Sequence, residues 1–296
     1  MHEEKSYKQG TTTYYYTIEQ EGACITGMTG VGSVLEVPER LDDLPVRKLG
    51  KKALLGCYAL TKVQFPATVR ELESWAMAQC RNLTTVVLRG EQVAFGSGVF
   101  EDCDKIAYIC VGGEELNDLS VLLATLPTRL QAEYLLQAGD IGTEEWFSRW
   151  DQKLTAFLDE DDEEGYTTLV LCGEEDIIRS VPGYIKDKRM AKAALCYIRL
   201  RYCLYLSEGS RRLFEKYILD HTKGCPSDEA WKVLIRDFSE DMEYYKLLAE
   251  LGGIPAAGID EMLIELGEEN AEAKAFLMKY KMECLGESDV FSRFTL

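Results

Sequence analysis

The 296-residue sequence predicts an α+β protein of two domains: an N-terminal solenoid of short strands, then an all-α helical repeat or bundle. Three observations carry that expectation. Cysteines recur every 23 residues, as Cys57, Cys80 and Cys103, inside a set of apolar columns. Beyond Gly112-Gly113 the apolar residues change to helical spacing. Charge changes at the same place, with residues 1–113 carrying −2 of the total −18 and residues 114–296 carrying −16. The expected domains are therefore 1–113 and 114–296.

Each element of the repeat follows from its spacing. Aligned on the cysteines, Leu49, Leu72 and Phe95 form one apolar column, and Ala53, Ala76 and Val99 another. Leu60, Leu83 and Ile106 follow, then Val63, Val86 and Ile109, then Phe65, Leu88 and Val111. Alternation places Val63 and Phe65 on one side of a short strand, with Lys62 and Gln64 on the other. The stretch before each cysteine has helical spacing and suits a short turn. One strand and one turn cannot bury their apolar side alone, but about four stacked copies share a continuous core. A cysteine column inside the coil is expected to pack as small, weakly polar side chains. The outward positions form a candidate binding face, with Lys62, Thr85 and Tyr108 in one column and Gln64, Val87 and Cys110 in the next.

These residues resemble the leucine-rich repeats of the BspA type. The matching residues are Leu49-Gly50, Ala53-Leu54, Cys57, Leu60, Val63, Phe65-Pro66 and Val69. Ile25-Thr26-Gly27, Val34, Val37-Pro38 and Leu44-Pro45-Val46 resemble the family's opening unit, so the resemblance spans about residues 14–111. It implies a curved leucine-rich-repeat solenoid that binds other macromolecules. Tyr14 and Tyr16 alternate onto one side of a strand expected to cap its edge.

The second half predicts helices at 115–126, 129–138, 144–158, 186–206, 209–221, 228–237, 240–251, 261–267 and 271–284. Ser239, Asp260 and Asn270 are expected N-caps, and Gly139, Gly252 and Gly286 expected C-terminal punctuation. The acidic run 159–164 reads as a solvated loop. Ala132–Ile141 and Tyr245–Ile254 resemble each other, with the Leu-Leu pair one residue out of register, and look like ankyrin-type or other helical-hairpin repeats.

Function is read by exclusion. The start, Met1-His2-Glu3-Glu4-Lys5, lacks the basic and apolar regions of a secretory signal, which points to the cytoplasm and to reduced thiols. The acidic half disfavours nucleic acid and anionic membranes and favours a basic protein partner. Neither a Cys-x-x-Cys nor a histidine pair is present, so no metal site is expected. His2 and His221 are the only histidines; His221 is expected to close a helix, where a cation favours the helix dipole. Cys196 and Cys203, seven apart, are expected to share a helix face. Gly27, Gly30 and Gly32 lack the helix that a dinucleotide loop requires. No catalytic or cofactor-binding residue is assigned. The expected function is a non-enzymatic protein-binding scaffold. Two alternatives stay open: an enzyme with a site in the helical domain, and a cell-surface adhesin without its signal.

Overall fold

An antiparallel meander opens the chain: β1 (Lys5–Gln9), β2 (Thr12–Glu19) and β3 (Gly22–Thr29). It is followed by β4 (Val34–Glu36) and by a tight hairpin of β5 (Arg40–Leu41) and β6 (Leu44–Leu49). The two-residue turn of that hairpin, Asp42-Asp43, has positive φ at both positions, as its twist requires. Then come β7 (Lys62–Phe65), β8 (Glu71–Leu72), β9 (Thr85–Leu88), β10 (Ala94–Phe95) and β11 (Tyr108–Val111). This computed structural model describes residues 3–19, 22–113, 116–166, 180–268 and 270–284.

The 23-residue period becomes two ladders. Strands β4, β7, β9 and β11 pair in parallel as one sheet. Strands β3, β6, β8 and β10 pair in parallel as the other, and the β1–β2 hairpin extends it antiparallel. Backbone bonds repeat from coil to coil: Gly50 N–H to Ile25 O at 2.7 Å, Glu73 to Leu49 O at 2.9 Å, Gly96 to Leu72 O at 2.7 Å. The turns repeat too. Lys52, Trp75 and Gly98 all have positive φ, as do Gly56, Gln79 and Asp102, so each coil passes through the left-handed region at the same two places.

The cysteine column packs as expected and does one thing more. Cys80 Sγ donates to Leu54 O and Cys103 Sγ to Met77 O, each at 3.2 Å. Each thiol thus ties its coil to the carbonyl of the preceding one. Tyr14 and Tyr16 are buried in the core, but on β2, inside the meander; the edge strand is β1. Tyr16 donates to Asp42 Oδ2 at 2.6 Å. That bond, then burial, pushes its hydroxyl up to about 12 from 10.0. A raised phenol contributes stability that is intact below pH 10 and lost as pH rises through the folded value. The melting temperature of the wild type is therefore expected to fall between pH 10 and 12, and less steeply in Tyr16→Phe.

The chain divides into two compact units, Met1–Lys153 and Leu154–Leu296. The 113/114 position expected from sequence marks the change of periodicity, whereas the first unit continues past it. Helix α1 (Asp118–Thr125), with Asn117 and Ser120 closing a reciprocal cap, packs against β11. A turn of π-helix (Leu126–Leu130) and one of 3-10 helix (Glu133–Gln137) follow, in place of the helix expected at 129–138. Pro127 lacks an N–H, and Gln131 takes φ +49°, which ends the helical run. Gln137 Nε2 donates to Phe95 O at 3.1 Å, continuing the Ile25, Leu49, Leu72 series of acceptors with a side chain. Trp146 and Trp150 of α2 (Glu144–Asp159) are buried.

The second unit is built around α3 (Val181–Arg201), which is buried without interruption from Lys192 to Leu200. A helix covered on all sides shows no polar stripe. It packs against α4 (Glu208–Asp220), α5 (Glu229–Asp237) and α6 (Met242–Glu250). The last two helices are α7 (Ile259–Glu265) and α8 (Ala271–Cys284). The helix expected to reach 206 stops at Arg201, so Cys203 lies in an exposed loop while Cys196 is buried in α3. The caps also shift. Asp241 caps α6 rather than Ser239, and Asp260 lies inside α7. Asn270 directly precedes α8, its carbonyl accepting from Lys274 N–H. Gly252 has the expected positive φ and Gly139 does not. Gly286 and His2 fall outside the described residues. Of the two similar stretches, the first is the 3-10 turn and the second is α6, so they do not share a fold.

The acidic run is not simply solvated. Lys192 Nζ, on a side chain 2% exposed, donates to Leu158 O, Glu160 O and Asp162 Oδ1 at 3.3, 2.7 and 2.9 Å. Lys188 holds Asp161 O and Glu164 O, and Arg189 binds Asp162 Oδ2 at 2.6 Å. Burial alone would raise the Asp162 carboxyl, but the bonds from Lys192 and Arg189 outweigh it and lower it.

Candidate binding face

Register decides which side chains share the outer face of the β4–β7–β9–β11 sheet. Lys62 pairs with Thr85 and Thr85 with Tyr108, so the first expected column forms, and all three are half-buried. Val34 of β4 pairs with Lys62 and extends the column at 60% exposure. The second column departs from expectation. Glu36 and Gln64 are in register with Val87 and Cys110, but Val87 is 1% and Cys110 4% exposed. These two are apolar neighbours, and α1 packs against the strand that carries Cys110. Only Gln64 of the second column's expected residues reaches solvent.

Arg89, just past β9, finishes this edge of the face. Its Nη2 donates to Glu36 Oε1 at 3.1 Å and to Gln64 Oε1 at 3.2 Å. Beside it lies an open groove of about 580 Å³, whose lining includes Gln9, Glu36, Val37, Pro38, Pro66 and Arg89. Sequence reading missed Val34, Glu36 and Arg89. The spacing from Val34 to Lys62 is 28 residues, because the β5–β6 hairpin lengthens that coil, so the 23-residue alignment passes over it. A second cavity, of about 250 Å³, lies beside Cys103, Glu101, Asp102, Pro127, Gln131 and Glu133. Burial and the charge of Glu101 raise the Glu133 carboxyl.

The groups weighed for catalysis have structural partners. His221 closes α4, with its Nδ1 2.8 Å from Tyr217 O and its ring stacked on Tyr217 at 4.1 Å. Burial pushes the Cys196 thiol up, and contact with Cys103 together with burial does the same to Cys80, so neither supplies a ready thiolate. The residues that could hold a metal are elsewhere: donor atoms of Glu19, Cys24 and Glu73 lie within 4.8 Å of one another. Burial, then the charges of Glu19 and Glu73, pushes the Cys24 thiol up to about 12. Among the described residues, no helix is long and apolar enough to cross a membrane.

Comparison with known proteins agrees with this architecture. Residues 41–120 match the family profile described as the BspA type leucine rich repeat region, in six copies. No curated protein matches the chain. Among solved structures, a leucine rich cell surface protein from Faecalibacterium prausnitzii is 26% identical, over 35% of this chain and 29% of its own, with a TM-score of 0.30. A T. pallidum leucine rich repeat protein is 22% identical, over 32% and 67%, with a TM-score of 0.25. A leucine-rich repeat protein from Bacteroides ovatus is 18% identical, over 36% and 41%, with a TM-score of 0.24. This chain thus spans under a third of the first of these proteins. The cysteine-marked coils, their two parallel ladders and the matching profile agree: residues 41–120 of this chain are a BspA-type leucine-rich-repeat region.

Proposed function

We propose that the protein is a non-enzymatic protein-binding module whose contact surface is the Lys62–Thr85–Tyr108 column and the adjoining Arg89 groove. One observation carries the reading. Side chains of different chemistry stand in register on a parallel sheet, half-open to solvent, beside an open groove of about 580 Å³. The repeat family supports interaction or adhesion as the general role.

The test is paired capture from native extract by wild type and by a Thr85→Arg/Tyr108→Ala variant. A partner that binds the wild type and is weakened about tenfold or more by the variant, a loss of about 1.4 kcal/mol, supports the face. Equal retention rejects it. Repeating the capture at high salt addresses a basic partner held by the acidic half, because long-range attraction is screened there.

The cytoplasm is the setting that goes with this reading. Cys80 and Cys103 serve as thiols, each donating to the carbonyl of the preceding coil. Thiol titration of denatured protein prepared without reductant should read all ten cysteines free. Several disulfides would instead favour an exported adhesin.

A further inference from the structure

We propose that Glu19, Cys24 and Glu73 form a zinc site that ties the β2–β3 hairpin to the coil following β8. Three elements bring these residues together. Glu19 ends β2, Cys24 lies on the neighbouring β3, and Glu73 follows β8, which β6 joins to β3. Their donor atoms already lie within 4.8 Å of one another. A tetrahedral zinc with bonds of about 2.0 Å to oxygen and 2.3 Å to sulfur needs donors about 3.5 Å apart. Side-chain rotations of about an ångström close that gap.

The buried thiol is the second observation. Cys24 is 4% exposed. Cys80 and Cys103 each donate to a backbone carbonyl, but among the described residues the Cys24 thiol has no backbone acceptor and faces the carboxylates instead. Gly50 keeps room beside it: a Cβ there would lie 3.3 Å from Cys24 Sγ and 2.8 Å from Ile25 O.

Charge around the site favours a cation. Lys48 Nζ bridges Glu19 Oε2 at 3.1 Å and Glu71 Oε2 at 3.0 Å, and Lys51 N–H donates to Glu73 Oε2 at 2.9 Å. Three carboxylates thus gather around one ammonium, which pairs with Glu19 and Glu71 and leaves Glu73 to the Lys51 N–H, and each ligating carboxylate keeps a second oxygen. One thiolate with two carboxylates suits a borderline ion such as zinc better than magnesium or calcium, which prefer oxygen alone. Binding replaces the S–H bond of Cys24 with an S–Zn bond and releases one proton to solvent.

The test uses the full chain, stripped by chelator and titrated with Co²⁺ as the visible substitute. One equivalent should raise a near-ultraviolet sulfur-to-cobalt charge-transfer band that Zn²⁺ then abolishes. Saturating Zn²⁺ should raise the melting temperature by about 5 °C. Cys24→Ser should lose the band, Glu73→Gln should weaken binding about tenfold or more, and Cys203→Ser should change nothing. Absence of the band in the wild type, or its persistence in Cys24→Ser, overturns the proposal. If Cys24→Ser does not fold, Glu73→Gln decides, and unchanged affinity there rejects the site.

Discussion

Lys192→Met is expected to destabilise the second unit by about 3–5 kcal/mol, the range for breaking a buried charged cluster from one side. The ammonium is within hydrogen-bond distance of Leu158 O, Glu160 O and Asp162 Oδ1, on a side chain 2% exposed. Methionine fills the same volume but donates nothing, so two carbonyls and a carboxylate lose a donor that water cannot readily replace. An exposed pair gives the contrast. Lys216→Met removes only the bond to Asp220, on a side chain 70% exposed, and should change stability by less than about 1 kcal/mol. Urea unfolding of both variants, followed through the fluorescence of Trp231, separates the two magnitudes. Equal midpoints for them would show that Lys192 is no clamp. Because native bonding lowers the Asp162 carboxyl, its contribution is present above the ordinary carboxylate range and is lost as pH falls through the folded value. The wild type should therefore lose more of its advantage over Lys192→Met in acid than at neutral pH.

Gly96→Ala should cost about 3 kcal/mol, at the upper end of what overpacking usually costs. A Cβ at Gly96 would lie 2.3 Å from Ser74 N, 2.7 Å from Glu73 C and 2.8 Å from Ser74 Cα. All three are backbone atoms of the preceding coil, so no rotamer relieves the clash. The last coil must move away, stretching the bond from Gly96 N–H to Leu72 O. Gly113→Ala, where an added Cβ meets nothing within 4 Å, should be nearly neutral. Thermal melting of the two variants tests the contrast. Hydrogen exchange should show lost protection at Gly96 and Ala94, the latter bonded to Arg70 O. Protection equal to wild type would contradict the packing described for this coil.

What could be read from sequence was what repeats or alternates. The cysteine period located every coil from Leu49 onward, and alternation within β7 correctly turned Lys62 and Gln64 outward. The same alternation failed at Val87 and Cys110, because it reports which way a side chain points and not what later packs nearby. The acidic run failed for a related reason. Its partners Lys188, Arg189 and Lys192 lie 24 to 32 residues away along the chain, and a run of like charges shows none of them. The Glu19, Cys24 and Glu73 cluster left no motif, since strand pairing rather than spacing assembles it.

The side chain of Gln137 has a consequence for the solenoid's length. Its amide takes the place that the next coil's N–H would occupy at Phe95 O. The end of the stack is therefore recognised by a bond that every earlier rung could also offer, since Ile25, Leu49 and Leu72 present the same acceptor. Length is a property of where the terminator docks, not of the coils themselves. Duplicating residues 73–95 should add one rung of about 4.8 Å and leave the terminator to close on a new last coil, lengthening both parallel ladders without redesigning their end.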